Sequence, residues 1–334
     1  MDSVLDNRPE LRVTVACPSL EKAVAPWRNI ALRPAGRLKG HAWEQLELPR
    51  LARRRTLFCP GNTAPLASLL GAQPVVVTVH DLSYKYFPEA YSWSFRQWYS
   101  VFTPLVMRRA NAVITVSESE RRAILAHYPQ SAARLYAVQN GGLPGDLRVD
   151  PTAAPDTDRR YVLYVGSLSK RKNFPTLLDA TYRLARARDL EFIFVGAVPR
   201  GIAASMMTVP KDIAPQIKFA GQIDDTAALM TYYRRATCFV FPSLYEASPL
   251  PPIEAMACGC PVVASDIPSL KERCGDAAVY CDPKDTTSIV AAIERIVDDK
   301  ALRAKLRVRG YERAASFSWE NCARRTLDII SKVS

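Results

Sequence analysis

Two carboxylates eight positions apart, Glu246 and Glu254, flank a proline pair in the run Phe239–Asp266, FVFPSLYEASPLPPIEAMACGCPVVASD. Its apolar, aromatic start predicts a buried strand that ends at Pro242-Ser243. A loop then carries Glu246. Pro251 and Pro252 lead into a helix holding Glu254, Ala255 and Met256, because proline is favoured in the first turn of a helix. The free N–H groups and positive dipole end of that helix are expected to make an anion site. A carboxylate beside such a site does not bind phosphate itself, but it accepts hydrogen bonds from sugar hydroxyls. Each acid also has a ligand-free explanation: Glu246 as a solvated loop residue, Glu254 as a dipole-matched first-turn residue.

A second run, Tyr161–Asn173, reads YVLYVGSLSKRKN. A strand ends at Gly166, and the following loop passes Ser167 and presents Lys170, Arg171 and Lys172 before a helix. Clustered cations at a strand end suit a diphosphate leaving group, whose growing charge they neutralise in the transition state. A solvated charge run is the plainer alternative. In a third run, Pro74–Glu89 (PVVVTVHDLSYKYFPE), His80-Asp81 stands at the C-terminal end of the strand Val75–Val79. A lone histidine is more often a packed core residue, and Asp81 either orients His80 or meets an acceptor. In AVITVSESE, Ser117 and Glu120 fit a capping box and need no ligand.

These runs need rigid elements to hold them, and two successive α/β blocks supply them. Strand-like runs fall at Leu11–Cys17, Thr56–Cys59, Val75–Val79, Ala112–Val116 and Leu135–Val138 in the first block. In the second they fall at Tyr161–Val165, Glu191–Val195, Ile217–Ala220, Cys238–Phe241, Pro261–Ala264 and Ala277–Tyr280. Helical stretches such as Phe174–Arg188 and Asp225–Ala236 alternate with them. That alternation predicts parallel sheets covered on both faces, in two doubly wound domains with ligands bound at facing strand ends. Asp146–Arg160, rich in Asp, Pro, Thr and Ala, reads as the linker between them. A chain of 334 residues also exceeds what one core usually supports.

Several classes are excluded or disfavoured. No G-x-G-x-x-G follows an early strand and no P-loop occurs, against nicotinamide dehydrogenases and P-loop enzymes. The eight cysteines lie mostly in apolar runs; Cys258 and Cys260 are separated by one residue, and His41, His80 and His127 are scattered, so neither a disulfide framework nor a zinc site is expected. No spanning apolar run and no signal peptide is read, and a cytoplasmic protein is expected. The net charge of +12 favours an anionic partner: nucleotide phosphates, the anionic inner leaflet or nucleic acid, for which no motif is found. Phe95, Trp98, Tyr99, Phe102 and Val106 have helical spacing, as plain core or as a membrane-facing stripe beside Arg108 and Arg109.

P-S-L-Y-E, the second acid after seven intervening residues, and E-A-M-A-C-G-x-P-V-V-A-S together resemble the family-4 glycosyltransferases, as do V-G-x-L-x-x-R-K-N and V-x-x-x-H-D-L elsewhere. The resemblance covers roughly residues 56 to 330. It implies an α/β, GT-B architecture: a Rossmann-like acceptor domain over 1–150, a Rossmann-like nucleotide-sugar domain over 151–316, and a last helix over 317–334 returning to the first domain. It implies that Glu246 holds the donor sugar, Glu254 the nucleotide ribose, Arg171 and Lys172 the diphosphate, and that His80 contacts the sugar. Gly166, Ser167, Ser248, Pro249 and Leu250 would line the donor. It further implies a retaining, metal-independent enzyme without cofactor, moving a hexose such as mannose, with GDP-mannose a candidate donor, to a glycan or lipid-linked acceptor at the inner membrane surface. Asp156-Thr157-Asp158 is a D-x-D by letters only.

Two departures stand out. The family usually reads E-G-F-G-L-P between the acids, where this chain has Glu246-Ala247-Ser248-Pro249-Leu250-Pro251, and Ser167 stands where many members have Arg. The front also lacks the family's first strand and Gly-rich loop: Asp2–Asn7 reads as a helical remnant, Leu11–Cys17 as a second strand, and the first glycine is Gly36. The loop is therefore expected to be lost or to lie upstream. A non-catalytic, nucleotide-sugar-binding subunit is the alternative these departures favour.

Overall fold

The computed structural model describes residues 1–18, 27–143, 161–197 and 209–333. The expected linker at 146–160, with its D-x-D, lies outside these residues. The chain divides into two compact units, Met1–Gly141 with Trp319–Ser334, and Gly142–Ser318.

The first unit opens with α1 (Asp2–Leu5), β1 (Val13–Cys17), β2 (Ile30–Pro34), α2 (Gly40–Leu46) and α3 (Leu48–Leu51). It continues through β3 (Leu57–Cys59), α4 (Leu66–Leu70), β4 (Val75–Thr78), α5 (Ser83–Tyr86), α6 (Trp93–Arg109), β5 (Ala112–Thr115), α7 (Glu118–His127) and β6 (Leu135–Ala137). Strands β3-β4-β5-β6 form a parallel sheet in that order, with Val76 opposite Ala112 and Val113 opposite Leu135. Every residue of β4 and β5 is buried, because the sheet is covered on both faces. Alternation along the pleat sends Val75 and Val77 to a core with Leu57, Met107 and Ile124, and sends Val76, Ala112 and Ile114 to one with Val138 and Ile329.

Leu11–Cys17 of the sequence reading contains β1. It pairs in parallel with β2, Val13 opposite Ile30, as a separate two-stranded sheet. Strand β2 does not stand out in the sequence for a physical reason: its apolar Ile30-Ala31-Leu32 stops at Arg33-Pro34 and only Ile30 is buried, so it lacks the pattern of a strand covered on both faces.

The second unit runs through β7 (Tyr161–Val165), α8 (Phe174–Ala187), β8 (Glu191–Val195), β9 (Ile217–Gly221), α9 (Thr226–Arg235), β10 (Cys238–Phe241) and α10 (Pro251–Ala257). β11 (Val262–Ser265), α11 (Pro268–Cys274), β12 (Ala278–Cys281), α12 (Thr286–Asp298) and α13 (Lys300–Ala315) complete it. Its six parallel strands are ordered β12-β11-β10-β7-β8-β9. The chain winds outward from β7 in one direction and from β10 in the other, so the order reverses between these two neighbours. Ligands of open α/β sheets bind outside the carboxyl ends of strands at that reversal. Apolar side chains fill both faces, with Val162, Tyr164, Phe192 and Ile293 on one and Leu163, Phe239, Phe241 and Ile253 on the other. The last helix, α14 (Trp319–Val333), belongs to the first unit; its Leu327 packs with Val4 and Ile30, and Arg325 donates to the Ala137 carbonyl at 3.0 Å.

All eight cysteines are free thiols, and burial pushes those of Cys258 and Cys281 up to about 12. No helix among the described residues is long and apolar enough to cross a membrane.

Candidate functional site

The loops after β7 and β10 lie side by side at the strand-order reversal of the second unit. Leu244 N–H donates to the Arg171 carbonyl at 3.1 Å, and Arg171 Nη1 donates to the Tyr245 carbonyl at 3.2 Å. Glycine also lets the end of β8 come close to the end of β7. Gly196 has φ +146°, and a Cβ there would stand 2.0 Å from the Gly166 carbonyl oxygen. Asn173 turns the cationic loop into α8 with a left-handed φ of +60°. It is buried and tied at both ends of its amide, donating to the Pro283 carbonyl at 2.5 Å and accepting from Thr176 Oγ1 at 2.7 Å.

These loops bring Arg171, Lys172 and Glu246 together. Lys172 Nζ lies 2.6 Å from Glu246 Oε1, and Arg171 Nη1 lies 3.7 Å from Oε2. The Lys172 and Glu246 side chains are only 14% and 8% exposed, so their attraction is weakly screened. Lys172 Nζ also sits 4.9 Å from the centre of the Phe241 ring, a cation–π contact. Burial lowers the Lys172 pKa, and the Glu246 charge opposes that shift. Lys170 in the same loop is exposed. Two buried hydroxyls in the facing loop, Ser243 Oγ and Ser248 Oγ, make no hydrogen bond with the described residues. Orphaned polar atoms beside a buried ion pair are what a polyhydroxyl or phosphate ligand would satisfy.

Glu254 lies in the first turn of α10, apart from that ion pair. Its Oε2 accepts from Tyr233 Oη at 3.0 Å, and Tyr233 is fully buried. Burial raises the Glu254 pKa, with the Tyr233 hydrogen bond working against it. Burial also pushes the Tyr233 phenol well up, reinforced by the Glu254 charge, so Tyr233 is the donor. The expected free N–H groups at this helix start are a correction. Pro251 and Pro252 have no N–H, and those of Ile253 and Glu254 are spent on the Leu250 carbonyl at 2.9 and 3.0 Å. The cations of the 170–172 loop, not the α10 terminus, are left to meet an anion. Pro249 is buried and Leu250 half-buried in the intervening loop, while Ser167 in the facing loop has its Oγ 3.2 Å from Ser169 Oγ.

His80 lies in the first unit, exposed just beyond β4. Its backbone N–H donates to Asn62 Oδ1 at 2.7 Å, and Nε2 is 2.7 Å from the Pro60 carbonyl. A carbonyl only accepts, so Nε2 is the donor in this contact. Asp81 is engaged locally: its Oδ1 accepts from Ser83 N at 2.8 Å and Ser83 Oγ at 2.5 Å. Ser117 caps α7 by accepting from Glu120 N at 3.1 Å, as the sequence pattern requires. The buried Glu120 carboxylate has a further task, accepting from Leu82 N at 3.0 Å and so holding the loop that follows His80.

Sequence reasoning missed Tyr233 and Ser243. Nothing local ties Tyr233 to an acid 21 positions later, whereas the place of Ser243 at a strand's carboxyl end was a usable signal. Among the described residues no group of three or more His, Cys, Asp and Glu side chains gathers to hold a metal ion.

Comparison with known proteins bears on both units. The family model for glycosyl transferases group 1 matches residues 150–313, and that for glycosyltransferase family 4 matches residues 9–141. The chain is 29% identical to the O-antigen chain mannosyltransferase B of Escherichia coli over 263 residues, 76% of this chain and 69% of that protein. It is 30% identical to the alpha-maltose-1-phosphate synthase of Mycolicibacterium smegmatis over 304 residues, 82% of this chain and 77% of that one. Among solved structures, WaaG, a glycosyltransferase involved in lipopolysaccharide biosynthesis, superposes with a TM-score of 0.70 at 16% identity, covering 98% of this chain and 93% of that one. The fold is thereby GT-B.

Proposed function

This chain belongs to the family-4, group 1 glycosyltransferases, and from that membership we propose that it transfers a hexose from a nucleotide-diphosphate sugar with retention at the anomeric carbon and without a metal ion. The Lys172–Glu246–Arg171 cluster at the strand-order reversal, with the orphaned Ser243 and Ser248 hydroxyls beside it, is the observation that carries the reading. In this reading the arriving diphosphate draws Lys172 and Arg171 to itself, and Glu246, freed from its pairing, accepts hydrogen bonds from the donor sugar. Glu254, held by Tyr233, accepts from the ribose hydroxyls. Gly166 and Ser167, with Ser248, Pro249 and Leu250 opposite, line the donor.

As the bond between the anomeric carbon and the phosphate oxygen breaks, the two cations stabilise the charge growing on the leaving diphosphate. The acceptor oxygen bonds to the same face of the sugar, and its proton passes to the departing phosphate oxygen. No separate nucleophile is required. For His80 the proposed role is the sugar contact that the family resemblance implies. Mannose is the proposed sugar and GDP-mannose the proposed donor, on the strength of the similarity to O-antigen chain mannosyltransferase B. The acceptor is a glycan or a lipid-linked sugar at an anionic membrane surface.

A thermal-shift panel of GDP, UDP and dTDP sugars, followed by a transfer assay in EDTA, tests this. Stabilisation by a sugar nucleotide together with release of its nucleotide diphosphate supports the enzyme. Ala247, Ser248 and Pro249 replace the family's G-F-G, and Pro249 removes a backbone donor from the loop, which favours the second reading, a non-catalytic nucleotide-sugar-binding subunit. Binding without turnover would establish that one instead.

A further inference from the structure

The loop after β3, Pro60-Gly61-Asn62-Thr63, runs beside the end of β4, because the two strands pair in parallel with Cys59 opposite Val77. To continue that pairing, a residue alongside β4 must donate its N–H to one carbonyl and accept from the N–H two residues further on. Asn62 meets the two demands by different means. Its backbone N–H donates to the Thr78 carbonyl at 2.8 Å, while its side-chain Oδ1 accepts from the His80 N–H at 2.7 Å. A left-handed φ of +64° takes the Asn62 backbone out of the strand conformation, and the amide oxygen fills the place of the missing ladder carbonyl. Asparagine is among the few residues that enter this conformation readily. On the other edge, Val79 N–H donates to the Ile114 carbonyl at 2.8 Å, so the backbone is held from both sides up to His80.

The same loop holds the ring. His80 Nε2 donates to the Pro60 carbonyl at 2.7 Å, so the backbone and the imidazole of one residue are tied to points two positions apart. The loop is anchored in turn by α2: the buried Thr63 donates through Oγ1 to Glu44 Oε2 at 2.9 Å, and Gln45 Nε2 donates to the Ala64 carbonyl at 3.2 Å. Tyr99 of α6 stands next to the Asn62 amide; burial raises the phenol's pKa and the amide works against that shift. The residues after His80 take their support elsewhere, Asp81 from Ser83 and the Leu82 N–H from Glu120. The Asn62 side chain therefore governs His80 and not the helix that follows. Asn62 itself is only half-buried, next to the exposed Gly61, so its amide is not part of the apolar core. A left-handed residue other than glycine persists where its surroundings over-determine it, and such residues cluster at functional sites.

We infer that Asn62 is a positioning residue for His80: its amide oxygen, standing in for a ladder carbonyl, fixes the backbone from which the imidazole projects and so keeps the ring on the Pro60 carbonyl in a single orientation. This role rests on the reading of His80 as a sugar contact only for its effect on transfer. The orientation of the ring is observable without any sugar nucleotide, so the two can fail separately.

The test is NMR of the full chain with isotope-labelled histidine, where His80→Ala identifies the His80 signals among those of three histidines. Asn62→Gly keeps a residue suited to the left-handed turn and removes the amide, whereas Asn62→Asp keeps an acceptor oxygen. Both should melt close to the parent. The His80 Nε2 hydrogen should be resolved in the parent, lost to exchange in Asn62→Gly and retained in Asn62→Asp. Donor turnover should fall by up to about a hundredfold in Asn62→Gly and recover in Asn62→Asp, with nucleotide affinity unchanged in both. Added to His80→Ala, Asn62→Gly should lower turnover no further. An Nε2 signal that Asn62→Gly leaves in place, or that Asn62→Asp loses, would overturn the inference, as would a further loss in the double variant. Normal turnover in His80→Ala, with the ring signal still dependent on Asn62, would remove the sugar contact and leave the hold of Asn62 on the ring standing.

Discussion

Replacing Glu254 by glutamine keeps the length of the side chain and an oxygen to accept from Tyr233, but removes the charge. Two consequences of opposite sign follow. A hydrogen bond to a charged acceptor contributes about 1.5–3 kcal/mol and one to a neutral acceptor about 0.5–1.5. Each ribose hydroxyl therefore loses about 1–1.5 kcal/mol, about tenfold in nucleotide affinity, and two hydroxyls on the order of a hundredfold. Stability moves the other way. Burial raises the folded-state pKa of Glu254, so the folded protein holds this proton more tightly than the unfolded chain does. Its contribution is favourable below the unfolded value, roughly 4.3, and is lost as pH rises through the folded pKa. At pH 7 the partly dehydrated carboxylate is a burden, and Glu254→Gln should melt higher than the parent, with the gap closing towards pH 4. Calorimetric titration with GDP and UDP, and scanning calorimetry at both pH values, measure the two effects. Unchanged nucleotide affinity would reduce Glu254 to a buried acid, and a lower melting temperature at pH 7 would refute the burial argument.

Three further outcomes are expected. Lys172→Ala should reduce transfer by about a hundredfold or more while sparing affinity for the parent nucleoside; equal losses for nucleoside and diphosphate in a titration would contradict the clamp. His80→Ala should lower transfer and leave nucleotide binding intact, since His80 lies in the other unit from the proposed nucleotide contacts; weaker nucleotide binding with normal transfer would contradict its role. Gly196→Ala should destabilise by about 1–3 kcal/mol, because its Cβ would stand 2.0 Å from the Gly166 carbonyl at a φ of +146°; an unchanged melting temperature would show that the two strand ends approach less closely.

The parts of this molecule that sequence made legible are those where one residue type has one physical use. Continuous apolar strands such as Val75–Thr78 and Cys238–Phe241 read directly because both of their faces are buried. The loops that follow β7 and β10 were placed by strand ends, and the structure brings Arg171, Lys172 and Glu246 together there. Illegible were contacts that depend on distant chain. Strand β2, paired with β1, buries only Ile30 and so lacks the pattern of a strand covered on both faces, and the hold of Tyr233 on Glu254 depends on α9 and α10 packing. The free N–H groups assigned to α10 failed for a local reason that was in the sequence: two successive prolines supply none. Glu120 was read as a cap partner alone, because its bond to Leu82 N spans two strands' loops.

Retaining transfer at the Lys172–Glu246 site would show in the anomer of the first product, which can be read without knowledge of the acceptor. Proton NMR of the purified chain in EDTA, incubated with GDP-mannose and then with UDP and dTDP hexoses, would follow slow donor hydrolysis. One donor should be consumed, the released sugar should first appear in the donor's own anomeric form before mutarotation, and Lys172→Ala should reduce the signal about a hundredfold or more. Release of the opposite anomer first, or binding of every donor with consumption of none, would contradict it.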